Sequence, residues 1–434
     1  MTTLAHHQQQ QQSQGTGRPE PVRVPRVLLL THRLPYPPDR GDRIRSYHLV
    51  KLLSAHTHLG IACTSNEPVW LQHHQLLRTM AERVVIQPVL NVWGGIRGTA
   101  AFLAGRAVTP ACFYRQGLAD SILQWHEQKP FDVVLTFCTG MVHYARLLTD
   151  GPGRKFNPGI RHVLDLVDVD SLKWRAYARS SYSPLRIVYG AEARRLGRIE
   201  SGAEDRFDAI TVVSENEARA YREHVGDHPR LTVVRNGVNL DYFHPLSDVE
   251  DDQGEGPGDP GTLAFVGVLN YKPNVQGIRW FVKRVMPLLR ARIRGAKLLV
   301  VGRHPSRAVK DLQQHPGVEV VGSVPDVRTY IARASVVIAP LLIARGVQNK
   351  VLEAMASQRV VVCSPQAASG IDTTEGRPLL VAESPDQWVE HLSHVMTDRV
   401  DRTKIAQAGR RYVEQHCSWE QCLRPMLELL GAAR

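Results

Sequence analysis

The chain has 434 residues, too many for one ordinary core, so its length argues for two domains. Hydrophobic residues make up 43% and charged residues 22%, a balance that excludes a disordered or fibrous chain. The formal net charge of +12 suits nucleic acid, an anionic membrane or phosphorylated small molecules and does not choose among them. No ribonucleoprotein aromatics, zinc-finger spacing or basic heptads are present, so no nucleic-acid partner is expected. The 6 cysteines form no C-x-x-C pair and the 19 histidines no H-E-x-x-H, so neither a disulfide framework nor a metal site is expected. No apolar run reaches the roughly 18 residues that span a bilayer. Met1 to Pro25 has no signal-type apolar core, and a cytoplasmic location is expected.

Taken in chain order, residues 1–24, with a His/Gln tract from His6 to Gln14, read as a disordered tail. Arg26 to Thr31 is a β-rich run. A proline-rich loop and a helix over Arg43 to Leu53 follow, with Ile44, Tyr47 and Val50/Lys51 along one side. His58 to Cys63, Arg83 to Gln87, Phe131 to Thr136, Arg161 to Asp165, Ala209 to Val213 and Leu231 to Val234 are further strands. Residues 247–261 are acidic and rich in Gly and Pro, which marks a linker or exposed loop. The alternation then restarts. Strands are expected at Leu263 to Gly267, Lys297 to Val301, Val318 to Val321, Val336 to Ala339 and Val360 to Cys363. A helix is expected over Asn274 to Arg290, and helical segments at 384–396, 401–415 and 419–430 close the chain. Alternating β and α elements imply an α/β fold with parallel, doubly wound sheets, here one on each side of the linker. The expected divisions are 25–246, 262–414 and a terminal helix in 415–434. Ligands of such sheets bind outside the carboxyl ends of the strands, so the two sheets should share a cleft.

The segment after strand Val336 to Ala339 carries the strongest chemical signal. Gly346 is expected to open a helix whose buried stripe is Val347, Val351 and Met355, with Lys350 and Glu353 on one face. A helix start with a glycine and a lysine suits a diphosphate, and a glutamate one turn on suits a ribose diol. A parallel-sheet crossover with a surface Lys–Glu pair would leave the same trace. Gly267 and Gly302 end two other strands of this half, followed by Lys272 and Arg303. In a parallel sheet these ends converge. The loop Arg40-Gly41-Asp42 can cradle an anion or be a surface loop capped by Asp42. His143 follows the Phe131 to Thr136 strand and either faces the cleft or is structural. Asp165, Asp168 and Asp170 read as a metal site or sugar-hydroxyl acceptors, with Asp170 or Ser171 equally a helix cap. No G-x-G-x-x-G or Walker A motif appears, which argues against a nicotinamide cofactor. The arginine-rich segment Trp174 to Arg206, with its tyrosines, reads as a basic helix on an anionic membrane or a solvated helix.

Taken together these pieces resemble a retaining nucleotide-sugar glycosyltransferase of the GT-B fold, glycosyltransferase family 4, over about residues 26 to 430. The resemblance rests on Arg40-Gly41-Asp42, Arg235-Asn236-Gly237-Val238, Phe265-Val266-Gly267, Val301-Gly302-Arg303 and the run Gly346-Val347-Gln348-Asn349-Lys350-Val-Leu-Glu353-Ala-Met-Ala. More narrowly, the segments beginning Thr31-His-Arg-Leu-Pro-Tyr and Asp168-Val-Asp-Ser-Leu-Lys-Trp look like the subgroup associated with exosortase (PEP-CTERM) exopolysaccharide systems. The resemblance implies a nucleoside diphosphate sugar donor and a glycan or lipid-linked acceptor, with no cofactor. It implies that Gly346 and Lys350 bind the diphosphate, Glu353 the ribose, Lys272 a phosphate, and Gly41 the acceptor side. Two departures stand out. Eight residues before Glu353, where the family often has a glutamate touching the transferred sugar, this chain has Arg345. Leu269 stands where many relatives have arginine. The competing functions are a non-catalytic scaffold of the same fold and a nucleotide-sugar epimerase.

Overall fold

Runs such as Arg26–Thr31 and Ala334–Ala339 are buried at every position. This is the pattern of a parallel strand covered by helices on both faces. A computed structural model describes residues 23–67, 71–89, 91–180, 184–202, 206–246, 259–343, 348–371 and 376–432. Its strands form two parallel sheets. The first contains β1 (Arg26–Thr31), β2 (His58–Ser65), β3 (Arg83–Pro88), β4 (Val133–Phe137), β5 (Arg161–Val167), β6 (Ala209–Val212) and β7 (Leu231–Val233). Their order is β3-β2-β1-β4-β5-β6-β7. The second contains β8 (Asp259–Val266), β9 (Lys297–Val301), β10 (Val318–Gly322), β11 (Ala334–Ala339), β12 (Val360–Cys363) and β13 (Leu380–Val381). Their order is β10-β9-β8-β11-β12-β13. In each sheet the order reverses beside its first strand, between β1 and β4 and between β8 and β11. Such a reversal opens a crevice at the strands' carboxyl ends.

Four local expectations change. β8 begins at Asp259, inside the range read as linker, because Asp259 pairs with Ala334 of β11. The expected single helix over Asn274 to Arg290 is two, Lys272–Arg284 and Met286–Arg292, and Pro287 near the start of the second removes a donor the first would need to continue. The arginine-rich segment is likewise two helices, Asp170–Ser180 and Leu185–Ser201. In the Gly41–His56 helix, Val50 of the expected Ile44, Tyr47 and Val50/Lys51 side is buried, Ile44 and Tyr47 are half-buried and Lys51 is exposed, while the buried positions extend to Arg43, Arg45, Ser46, His48, Leu49, Leu52 and Leu53. Arg45 is fully buried because it meets a carboxylate. Its Nε donates to Asp165 Oδ2 at 2.8 Å, its Nη2 to Asp165 Oδ1 at 3.0 Å, and its Nη1 to Val234 O and Asn236 Oδ1, each at 2.9 Å. Asp165 is therefore a structural anion, not a metal or sugar ligand.

The chain crosses between the sheets twice, and the two crossings pair. Val238 N donates to Cys417 O at 2.8 Å, and Val238 bridges Ser418. The Trp419–Leu429 helix then lies on the first sheet's side. Trp419, Leu423, Met426, Leu427 and Leu430 share a core with Val27, Leu29, Leu49, Leu53 and Val133. His48 stacks flat on Trp419, with ring centres 4.4 Å apart. Asn216 Nδ2 also donates to Ser369 Oγ at 2.6 Å, linking the two halves.

Candidate active site

The second sheet's switch point is built around two glycines. Gly302, just after β9, has φ +150°, and a Cβ there would stand 1.7 Å from Gly267 O, so only glycine fits. Gly267, just after β8, donates its N–H to Val301 O at 3.0 Å. A Cβ at Gly267 would lie 3.3 Å from Lys350 Nζ and 2.9 Å from Asn274 Nδ2, so its absence makes room for both side chains.

Lys350 comes from the other side of the switch, on the helix after β11. That helix runs Asn349–Ala356 with Gln348 as its N-cap residue, so it starts three residues later than the expected opening at Gly346. Val351 and Met355 are buried under it. Lys350 Nζ donates to Asn274 Oδ1 at 2.5 Å and sits 5.0 Å from the centre of the Phe265 ring. Asn274 is 4% exposed, in the first turn of the Lys272–Arg284 helix, and its Nδ2 donates to Val268 O at 2.9 Å. That second bond turns the amide oxygen toward the lysine. The anchor is neutral, so it adds no negative charge beside the ammonium. Burial lowers the Lys350 pKa to about 8, with Glu353 opposing the shift. Burial raises Glu353 to about 7, with Lys350 opposing. Between these values the pair is ionised. No role was expected of Asn274, and its one signal in the sequence is its place two residues after Lys272.

The other donor-side candidates differ in placement. Lys272 is exposed at the start of its helix. Arg303 reaches across to the first half, where its Nη1 donates to Asp39 Oδ2 at 3.1 Å. Leu269 is buried, so that position offers no charge to the cleft. Gln348 and Asn349 are half-buried at the helix start. Arg345, Gly346 and Val347 lie outside the described residues.

On the facing side, the loop after β1 is a chain of charges. Arg43 donates to Asp39 at 3.1 Å and to Glu67 at 2.6 Å, and Arg40 donates to Glu67 at 3.0 Å. Asp42 bonds to Arg33 and lies 3.5 Å from His32 Nε2. Burial opposes its charge, but the hydrogen bonds and charges of His32 and Arg33 prevail and hold it well below the usual carboxylate range. Gly41 opens the helix, exposed, with nothing within 4 Å of where a Cβ would be. His143 lies in the Val142–Thr149 helix, its ring 4.1 Å from Tyr144 and 5.3 Å from Tyr114. Burial lowers its pKa to about 4, and neither ring nitrogen has a partner among the described residues. It is a neutral group with an unused acceptor. Asp168 is exposed, whereas Asp170 is the more buried carboxyl, with its pKa raised by burial against the opposing pull of Lys173.

Residues 260–398 match the model of the family described as glycosyl transferases group 1. Solved structures align along nearly the whole chain. Sucrose-phosphate synthase from Thermosynechococcus elongatus is 17% identical, with 94% of this chain and 98% of that one covered and a TM-score of 0.66. The fold is GT-B. WaaG, a glycosyltransferase involved in lipopolysaccharide biosynthesis, is 15% identical over 93% of this GT-B chain and 99% of its own, with a TM-score of 0.63. Anabaena HepE, solved in complex with UDP, is 12% identical over 94% of this chain and 100% of its own, with a TM-score of 0.60. No curated protein matches the sequence. The GT-B architecture puts Lys350 and Glu353 at the second sheet's switch point and His143 at the first's, beside β4.

Proposed function

We propose that the chain is a retaining glycosyltransferase of the hexosyl-transferring kind. It takes a sugar from a nucleoside diphosphate donor and places it on a glycan or lipid-linked acceptor in exopolysaccharide biosynthesis. The observation that carries this reading is Lys350, a half-buried cation held by a neutral amide at the GT-B switch point, one turn from Glu353. The family match over 260–398 contains this whole arrangement. HepE has been solved with UDP and with UDP-glucose, which makes a uridine diphosphate sugar the first donor to test. The exosortase-associated resemblance of the loop after β1 and of the Asp168 segment supports the exopolysaccharide role. A lipid-linked acceptor places the protein in the cytoplasm, peripheral on the inner face of the membrane.

The chemistry follows from charge. Breaking the anomeric C–O bond leaves a diphosphate with growing negative charge. Lys350, with Lys272, Arg303 and the start of the Asn349–Ala356 helix, stabilises that charge. Cations of this kind neutralise the leaving group without a divalent metal. The departing phosphate oxygen takes the acceptor hydroxyl's proton on the face where the new bond forms, which retains the anomeric configuration. This route needs no carboxylate pair at glycosidase spacing. Neutral His143 can accept a hydrogen bond from a sugar hydroxyl while the acceptor binds. Glu353 accepts from the ribose diol.

Lys350→Ala is the direct test. A charge-assisted hydrogen bond contributes about 1.5–3 kcal/mol, so UDP affinity should fall at least about tenfold. Titration calorimetry reads this, with melting temperature as the folding control. Wild-type affinity in that variant would refute the assignment. The pH dependence has a definite sign. Lys350 loses its charge as pH rises through about 8, and Glu353 loses its charge as pH falls through about 7. UDP affinity should therefore peak between those values. Lys350→Arg keeps the cation at all these pH values and should remove the alkaline decline. An alkaline decline that persists in Lys350→Arg would assign it to another group.

A further inference from the structure

Three helices of the first half share a surface that the donor site does not use. In the Asn91–Leu103 helix, Ile96, Ala100 and Leu103 are spaced by four and three residues, a stripe that ordinarily faces a core. Here it faces solvent, with Ile96 54% and Leu103 80% exposed. The Leu185–Ser201 helix lies alongside. Its Arg195 donates to the carbonyls of Phe102 at 3.1 Å and Arg106 at 3.0 Å, with the guanidinium 4.8 Å from the Phe102 ring centre. The same helix exposes Leu185 and Ile187, the latter 71%. Ile187, Arg194 and Arg198 fall on one helical face and all are exposed. The Asp170–Ser180 helix joins through ring contacts, Trp174 to Tyr189 at 5.4 Å and Tyr177 to Tyr189 at 6.3 Å, and exposes Tyr177 and Arg179.

Charge is segregated across this surface. The Asn91–Leu103 helix has no acidic residue. Both acids of Leu185–Ser201 point inward. Glu192 accepts from Val108 N at 2.7 Å and Thr109 N at 2.8 Å, and Glu200 accepts from Ser171 N at 3.1 Å. No carboxylate of the three helices is exposed. What faces outward is arginine, tyrosine and single protruding aliphatic side chains. Single exposed side chains spread over three helices, with no acidic residue among the exposed ones, do not make the packed, contiguous core of a protein interface. They suit the boundary of headgroups and acyl chains, where aliphatic tips insert and arginines reach lipid phosphates. Among the described residues no helix is long and apolar enough to cross a membrane, so the contact is peripheral.

We propose that this three-helix face docks on an anionic lipid bilayer, with Leu103 and Ile187 entering the headgroup boundary and Arg186, Arg194 and Arg198 meeting lipid phosphates. It deepens the membrane-side location in the proposed function, and it stands independently of the donor assignment. The test uses the full chain and sedimentation with two kinds of vesicle, phosphatidylcholine alone and phosphatidylcholine mixed with phosphatidylglycerol. Binding should appear only with the anionic vesicles and be released by added salt. With each basic residue near the surface contributing about 1 kcal/mol, Arg186→Glu/Arg194→Glu/Arg198→Glu should bind at least about a hundredfold more weakly. Leu103→Ser/Ile187→Ser should also weaken binding while leaving its salt response in place. Calorimetric UDP affinity in both variants should equal that of the unaltered protein, which shows them folded. Lys350→Ala should keep full vesicle binding, so failure of the donor reading and failure of this one are distinguishable. Equal sedimentation with both vesicles, none with either, or unchanged binding of the charge-reversed variant overturns the proposal. Capture by an acidic polypeptide in place of anionic vesicles overturns it in favour of a protein partner.

Discussion

Replacing Arg45 by alanine is expected to destabilise the protein by about 3–5 kcal/mol, the usual consequence of removing one partner of a buried ion pair. Both side chains of the Arg45–Asp165 pair are fully buried. Deletion leaves Asp165 with Thr211 Oγ1, at 2.8 Å, as its remaining side-chain donor among the described residues. It also leaves the Val234 carbonyl and Asn236 Oδ1 without the guanidinium. Urea unfolding monitored by circular dichroism measures the loss. A change below about 1 kcal/mol would mean that water or a shifted side chain satisfies the site, and the argument from burial would fail. The double variant Arg45→Met/Asp165→Leu should recover much of the stability, because it removes both charges together. Recovery in the double variant would assign the pair to specifying how strands and helix align rather than to net stabilisation.

Deleting the chain from Ser418 onward should have a larger effect. Trp419, Leu423, Met426, Leu427 and Leu430 are all buried against the first sheet. At about 1.5–3 kcal/mol for each buried apolar side chain, their removal is comparable with the whole stability of an ordinary domain. The shortened protein should melt in two steps, with the first sheet unfolding well below the second in calorimetry. A single transition at the original temperature would show that this helix does not complete the first core.

Much of the architecture was legible because parallel strands are buried on both faces. Runs such as Lys297–Val301 and Val360–Cys363 therefore stand out by composition, and the structure places strands over those same residues. Helix faces were less legible. In the Gly41–His56 helix an arginine and a histidine hold the buried positions, and hydrophobic periodicity cannot see a burial that depends on Asp165 and Trp419. Lys350 and Glu353 were found because a loop, a glycine and a helix start lie together in sequence. Asn274 was missed because it meets Lys350 only after two strands have been brought side by side. The aspartates in and just after β5 divided for a similar reason. Asp165 sits within the sheet beside Arg45, Asp168 points outward, and Asp170 starts a helix.

The paired crossings at Val238 and Ser418 constrain the order of events during synthesis. The first sheet leaves the ribosome before the second, yet its core lacks Trp419 and Leu423 until the Trp419–Leu429 helix is made. The second sheet, whose two core clusters are drawn from Val238 and from residues between Leu263 and Cys417, can be complete before them. The nascent first half must therefore wait, with part of its apolar surface open, while the second half folds. A chain ending at Cys417 would hold an unfinished first half beside a finished second one. Protease sensitivity of such shortened chains should be concentrated before Val238.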